Sequence, residues 1–206
     1  MTRLVVATRN AGKVREIHEM LAGVGGYEVV GLADLAIPES PAEDDIEAYE
    51  TFEENALAKA RYFAAKTGEL ALADDSGLCV DALGGAPGVR SRRFAPVDEA
   101  RGERQDAANN RYLLALLADV PDERRTARYV CAAAAAWPDG RELVRTGTCG
   151  GAILREPRGT GGFGYDPLFY LETEGQTFGE LPPDRKNALS HRGKAVRALL
   201  QALGEG

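Results

Sequence analysis

Two adjacent aspartates, Asp74 and Asp75, follow the apolar run Leu70–Ala73 and lead into Ser76-Gly77. Carboxylates delivered by a strand suit a hard divalent ion. Mg²⁺ takes oxygen ligands, usually one or two carboxylates completed by water and phosphate oxygens. Open α/β sheets place ligands at the carboxyl ends of their strands. Neighbouring side chains in a strand point to opposite faces, so this pair can share one ion only where the strand ends and the backbone turns. Ser76-Gly77 predicts such a turn. The same four residues also suit an Asx turn or a helix cap.

A second set is Thr8-Arg9-Asn10-Ala11-Gly12-Lys13. A strand ends there, a polar turn follows and a helix begins, so backbone N–H groups form an anion site. Lys13 falls in the first helical turn, where the helix dipole disfavours a cation. A phosphate between dipole and ammonium would reverse that penalty; a capped turn with a solvated lysine is the plainer alternative. The stretch is not a Walker A loop, because Ala7 stands where that pattern needs glycine and Val14 follows the lysine.

Gly159-Thr160-Gly161-Gly162-Phe163-Gly164 formally matches G-x-G-x-x-G. No helix follows it: Tyr165–Leu171 is rich in strand formers and Pro167 lacks an N–H, which excludes the dinucleotide reading. Glycines beside Phe163 and Tyr165 suit a flat ring close to backbone, or equally a tight turn with core aromatics. Leu181–Lys194 gathers Arg185, Lys186, His191, Arg192 and Lys194 about the start of the last helix. For each of these alone, a solvated helix start with Ser190 as N-cap is the simpler reading. His18 reads as a surface residue.

The elements that must position these groups follow from pattern. Arg3–Ala7 predicts a strand, and Asn10 caps a helix whose apolar positions Val14, Ile17 and Leu21 recur until the glycines from Gly23. Val29–Leu32 predicts a second strand, Pro38–Asp45 a loop, and Thr51–Glu54 a capping box opening a helix to about Lys66, stopped by Gly68. Leu70–Ala73 does not alternate and so predicts a strand covered on both faces. A third helix is expected over Gln105–Ala118. Thr126–Trp137 and Glu142–Thr148 flank the turn signal Pro138-Asp139-Gly140, which predicts a hairpin despite the helix propensity of Ala132–Ala136. The last helix is expected over Ser190–Leu203, with Leu199, Leu200 and Leu203 buried. The interleaving predicts an α/β fold with a mixed sheet.

The chain has 206 residues, 44% of them hydrophobic, and a net charge of −7. That length predicts a single domain over residues 1–206, with room for two small lobes. The acidic balance argues against a nucleic-acid partner. No apolar run spans a bilayer, so no membrane partner is expected. Cys79, Cys131 and Cys149 fit no metal spacing and read as reduced thiols of a cytoplasmic protein.

Taken together and in order, ATRNAGK, FEENALAKA, ALADDSGL with GGAPGVRS, GGFGYDPLF and KNALSHRGKA resemble the inosine/xanthosine triphosphate pyrophosphatase family, over about Leu4 to Leu200. The resemblance implies an elongated mixed β-sheet with flanking helices, forming two lobes around a nucleotide cleft. It implies a homodimer, Mg²⁺ as cofactor, and a purine nucleoside triphosphate (ITP, dITP or XTP) hydrolysed to the monophosphate and pyrophosphate. By position, Thr8–Lys13 (Thr8, Arg9, Asn10, Ala11, Gly12, Lys13) resembles the phosphate-gripping loop. Asp75 resembles the general base and a metal ligand, with Asp74 assisting and Glu47 as the second metal-linked acid, although Glu47-Ala48-Tyr49 replaces the family's Glu-Thr-Gly. Asn55 and Lys59 match the family's helix. Ser76, Phe163, Gly164, Tyr165, Asp166, Lys186, His191 and Arg192 resemble its substrate contacts. Two rivals are a pyrophosphatase for other modified nucleotides and a nucleotide sensor without catalysis.

Overall fold

The computed structural model describes residues 2–22, 24–43, 46–96 and 103–204. Its strands are β1 (Thr2–Val6), β2 (Tyr27–Gly31), β3 (Leu70–Val80), β4 (Thr126–Ala136), β5 (Glu142–Ile153), β6 (Phe169–Leu171) and β7 (Gln176–Thr177). Its α-helices are α1 (Ala11–Leu21), α2 (Phe52–Thr67), α3 (Glu103–Leu116), α4 (Pro183–Leu189) and α5 (His191–Gly204). The strands form one sheet in the order β2-β1-β3-β4-β5-β6-β7. β1 runs parallel to β2 and β3, whereas β6 is antiparallel to β5 and β7, so the sheet is mixed. Gly23 and residues 44–45 of the expected loop lie outside the described residues.

The residues gather into two compact units. The first comprises Met1–Asp75, Cys131–Gly147 and His191–Gly206; the second comprises Ser76–Val130 and Thr148–Ser190.

In the first unit the strand period of two sorts the core into two layers. Leu4, Val6, Leu70, Leu72, Cys131, Ala133 and Ala135 pack with Ile17 and Leu21 of α1 and with Ala195, Val196, Leu199 and Leu203 of α5. Val5, Ala7, Ala71, Ala73, Ala132, Ala134 and Ala136 pack with Ala56, Ala60, Phe63 and Ala64 of α2. Both faces are covered, which is why Leu70–Ala73 does not alternate in the sequence. The alanine run is strand, as the hairpin predicts: burial on both faces outweighs its helix propensity.

The expected caps are present. The Asn10 side chain accepts the Lys13 N–H at 3.1 Å, the Thr51 hydroxyl accepts the Glu54 N–H at 3.2 Å, and Gly68 closes α2 at φ 71°. Two expectations are corrected. β3 does not end at Asp74-Asp75 but runs on as extended backbone to Val80. His18 is half-buried rather than on the surface. The last helix is present as expected, as α5; a short helix not foreseen, α4, precedes it and is closed by Ser190, which leaves helical conformation (ψ 157°).

The second unit has its own core, in which Leu113 and Leu117 from the α3 end pack with Leu78, Val80, Tyr129, Ile153, Phe169 and Phe178.

The start of α5 lies hard against β5. A Cβ on Gly147 would collide with the His191 carbonyl and stand 2.6 Å from the Ala195 nitrogen, both of them backbone atoms that cannot swing away. Gly147→Ala is therefore expected to destabilise the protein by at least ~1–3 kcal/mol, the usual cost of overpacking. Thermal unfolding checks this; an unchanged Tm contradicts the packing.

Candidate active site

The uninterrupted course of β3 decides the site. Asp74 and Asp75 are consecutive residues of one strand, so their side chains leave on opposite faces. Opposite faces place them poorly to share one ion, and Asp74 is taken up by cations instead. Each has a different environment, and the partners described below lie in the first unit.

Asp74 points to the α1/α5 face and has no exposed surface. Its Oδ2 lies 3.0 Å from Lys13 Nζ and 3.1 Å from Arg192 Nε. Arg192 in turn places Nη1 2.5 Å from Glu16 Oε2. Burial alone would raise the Asp74 pKa. Lys13, Arg192 and Lys59 outweigh it and hold the carboxyl below the ordinary carboxylate range. Arg192 is likewise kept charged, its burial overcome by Asp74 and Glu16. The Cys131 thiol, 3.8 Å from Asp74 Oδ2, is pushed up by burial and by that carboxylate, which leaves it an inert thiol.

Asp75 points to the α2 face. Its Oδ2 accepts a hydrogen bond from Asn55 Nδ2 at 3.0 Å. Burial raises its pKa, and Glu47 adds to the rise, against the opposing pull of Lys13, Lys59 and the Asn55 bond. Lys59 Nζ pairs with Glu47 and donates to the Asp74 carbonyl at 2.9 Å. Burial disfavours the Lys59 charge, but Glu47, Asp74 and Asp75 hold its pKa above the ordinary value. Asn55 also braces the Glu47 loop, accepting from the Tyr49 N–H at 3.0 Å and donating to the Tyr49 carbonyl at 3.2 Å.

Glu47, on the same side of the strand as Asp75, raises the proton affinity of that carboxylate. A divalent cation would relieve that repulsion. Among the described residues no group of three His, Cys, Asp or Glu side chains forms a metal cage. Mg²⁺ does not need one, since it commonly binds one or two carboxylates and fills its shell with water and phosphate oxygens. The donor set therefore fits that ion, which Asp75 and Glu47 would hold.

The turn before α1 is less open than the sequence implies. Thr8 is buried, and its hydroxyl accepts the Asn10 N–H at 3.2 Å. Arg9 turns towards the following loop: it pairs with Glu43 at 2.9 Å and donates to the carbonyls of Ile37 and Pro38 at 2.8 and 3.0 Å. Ala11 and Gly12 open α1. Lys13 meets Asp74, so the carboxylate compensates the cation's unfavourable place on the helix dipole.

In the second unit, Lys186 Nζ lies 2.6 Å from Asp166 Oδ2, which also accepts the Phe163 N–H at 2.8 Å. The ammonium sits 5.0 Å from the Phe163 ring centroid and 5.7 Å from that of Phe178, within cation–π range. Tyr165 is buried with its hydroxyl donating to the Ser91 carbonyl at 2.8 Å. Ser76 is a half-buried residue of β3. The solvated helix start fails for Lys186, His191 and Arg192, which are buried, and holds for Arg185 and Lys194, which are exposed. Glu16 escapes the sequence reading altogether; its signal is an acid beside Ile17 on the buried stripe of α1.

The model of the Ham1 family matches residues 4–202. A dITP/XTP pyrophosphatase of Desulforamulus reducens is 52% identical over 202 residues, covering 98% of this chain and 95% of its own. A HAM1 protein from Coxiella burnetii has a similar structure, with a TM-score of 0.84 and 38% identity over the whole of both chains. A nucleoside-triphosphatase / dITP/XTP pyrophosphatase from Mycobacterium abscessus is 46% identical, with a TM-score of 0.71, over 98% of this chain and all of its own.

The two aspartates predict opposite stability effects for one chemical change. Asp74→Asn leaves Lys13 and Arg192 without their buried anion and is expected to cost ~3–5 kcal/mol. Asp75→Asn removes a charge that folding disfavours and keeps an oxygen for Asn55, so it is expected to leave stability at pH 7 unchanged or higher. Chemical denaturation of both variants checks the contrast; equal losses contradict it.

Proposed function

Since the chain belongs to the Ham1 family, we propose that it hydrolyses the deaminated purine nucleoside triphosphates ITP, dITP and XTP to the nucleoside monophosphate and pyrophosphate. One observation carries this reading: a single strand presents one carboxylate locked as an anion beneath Lys13 and a second, proton-hungry one beside Glu47.

Asp75 is the proposed general base. Burial raises its proton affinity, so it takes a proton from an attacking water more readily than a solvated carboxylate does. Asn55 fixes its orientation. The water attacks the α-phosphorus, the α–β bridging oxygen leaves with pyrophosphate, and the proton passes to Asp75. Mg²⁺, when bound by Asp75 and Glu47, neutralises phosphate charge and lowers the pKa of water. Lys13, held at the start of α1 with the backbone N–H groups there, meets the triphosphate tail, and Lys59 balances Glu47 and Asp75. Such transfer needs little covalent work from the protein; positioning and charge neutralisation dominate. Thr8, Asn10, Ala11, Gly12 and Ser76 complete the proposed phosphate contacts. Arg9 serves by tethering the loop that precedes Glu47.

Selectivity rests on the purine six position, a carbonyl in hypoxanthine and xanthine and an amino group in adenine. Donors facing that position leave an amino group mispaired, and a buried mispairing rejects an analogue by up to ~10⁴-fold. Phe163, Gly164, Tyr165, Asp166, Lys186, His191 and Arg192 are the proposed contacts to base and phosphate. The same reading includes a homodimer acting in the cytoplasm. Among the described residues no helix is long and apolar enough to cross a membrane.

Pyrophosphate release with Mg²⁺ present is expected from ITP, dITP and XTP at least ~10²-fold faster, as kcat/KM, than from ATP. No release, or equal rates, overturns the reading. Asp75→Asn is expected to lower kcat by ~10²–10⁴-fold while nucleotide binding persists. Comparable turnover in variant and parent removes Asp75 from the base role.

A further inference from the structure

α3 has no part in the site described so far, yet it holds the loop that carries Phe163 and Asp166. Asp106 Oδ2 accepts the Gly164 N–H at 2.8 Å, and Asn110 Nδ2 donates to the Gly164 carbonyl at 3.0 Å. These two side chains are four residues apart, so they lie on one helix face and grip both polar groups of one residue. Between them, Asn109 accepts the Ala95 N–H at 2.9 Å and donates to the carbonyls of Ser91 and Arg92 at 3.2 and 3.1 Å. The Ser91 carbonyl is also where the Tyr165 hydroxyl ends. Gly164 takes φ 61° and Gly162 φ 72°, left-handed conformations in which glycine is weakly constrained. Without an outside hold, that freedom would reach Phe163 and Asp166, the residues that seat the Lys186 ammonium.

Asn110 makes this hold at a cost. Its Oδ1 is buried with no hydrogen-bond partner among the described residues. The amide cannot flip to relieve this, because its oxygen would then face the Gly164 carbonyl. A buried unpaired acceptor destabilises a fold and so offsets what the bond to the Gly164 carbonyl contributes. Asn110 thus adds little net stability while fixing a peptide.

Resting on the proposed function, we infer that Asp106 and Asn110 are positioning residues for purine selectivity: they set the Gly164 peptide so that the Phe163–Asp166 loop distinguishes a six-carbonyl from a six-amino purine. Neither touches the reacting groups. Loosening the loop relaxes the fit of the base and leaves Asp75 and Lys13 in place.

The test is kcat and KM for ITP and ATP, with Tm, in Asp106→Ala, Asn110→Leu and Asp106→Asn. Asp106→Ala and Asn110→Leu are expected to raise KM for ITP and to shrink the ITP-to-ATP ratio of kcat/KM by ~10-fold, with kcat for ITP within ~2-fold of the parent. Asp106→Asn keeps an oxygen for the Gly164 N–H and is expected to retain the ratio. Asn110→Leu loses the bond to the Gly164 carbonyl and the penalty of the unpaired oxygen together, so Tm is expected to stay close to the parent's while the ratio falls, a split that a merely structural role would not give. If Asp106→Ala fails to fold, Asn110→Leu carries the test. A selective parent with unaltered ratios in the variants overturns this inference alone. A parent that does not prefer ITP overturns the functional reading and this inference with it.

Discussion

One buried carboxylate organises the first unit. Asp74 has no exposed surface, and an anion there is tolerable only with cations against it. They come from separate helices: Lys13 from α1 and Arg192 from α5 meet Oδ2, while Lys59 from α2 binds the Asp74 carbonyl. Glu16 completes the chain by pairing with Arg192. Three helices are therefore tied to one residue of β3, and the Lys13 ammonium is fixed beside it. Breaking a buried pair costs more than the pair contributes, so the arrangement specifies position more than it adds stability.

The rest of the candidate site follows from strand geometry. If Asp74 commits its side chain to the α1/α5 face, Asp75 must face α2. There Asn55 orients it, Glu47 repels it, and burial raises its proton affinity. Adjacent carboxylates usually compete for one role. Here the pleat gives them different characters, a fixed anion and a carboxyl of raised proton affinity. Lys59 bridges the two faces by touching the backbone of the first and the acid beside the second.

Much of this is legible in the sequence. Caps at Asn10 and Thr51, the glycine stop at Gly68, the two-faced strand and the hairpin around Pro138–Gly140 are local signals with local causes. The alanine run shows where context overrides propensity, because only the covered sheet explains its extended form. Asp74-Asp75-Ser76-Gly77 misled because Ser-Gly is a turn signal by type, whereas the ladder of neighbouring strands keeps this one extended. Lys186, His191 and Arg192 were legible as a cluster but not as an interior one, since Asp166, which pairs with Lys186, and Glu16 and Asp74, which pair with Arg192, are distant in the chain. Asp106 and Asn110 gave only a faint sign, polar residues of modest helix propensity inside a helix.

The central claim, that neighbouring aspartates hold opposite protonation tendencies on opposite faces, is tested most directly by following both carboxyl carbons by NMR through an acid titration. An unperturbed aspartate titrates near ~3.9. The account predicts that Asp75 takes up its proton above that value, while Asp74 remains ionised well below it. Two carboxyls titrating together near the ordinary value would contradict it.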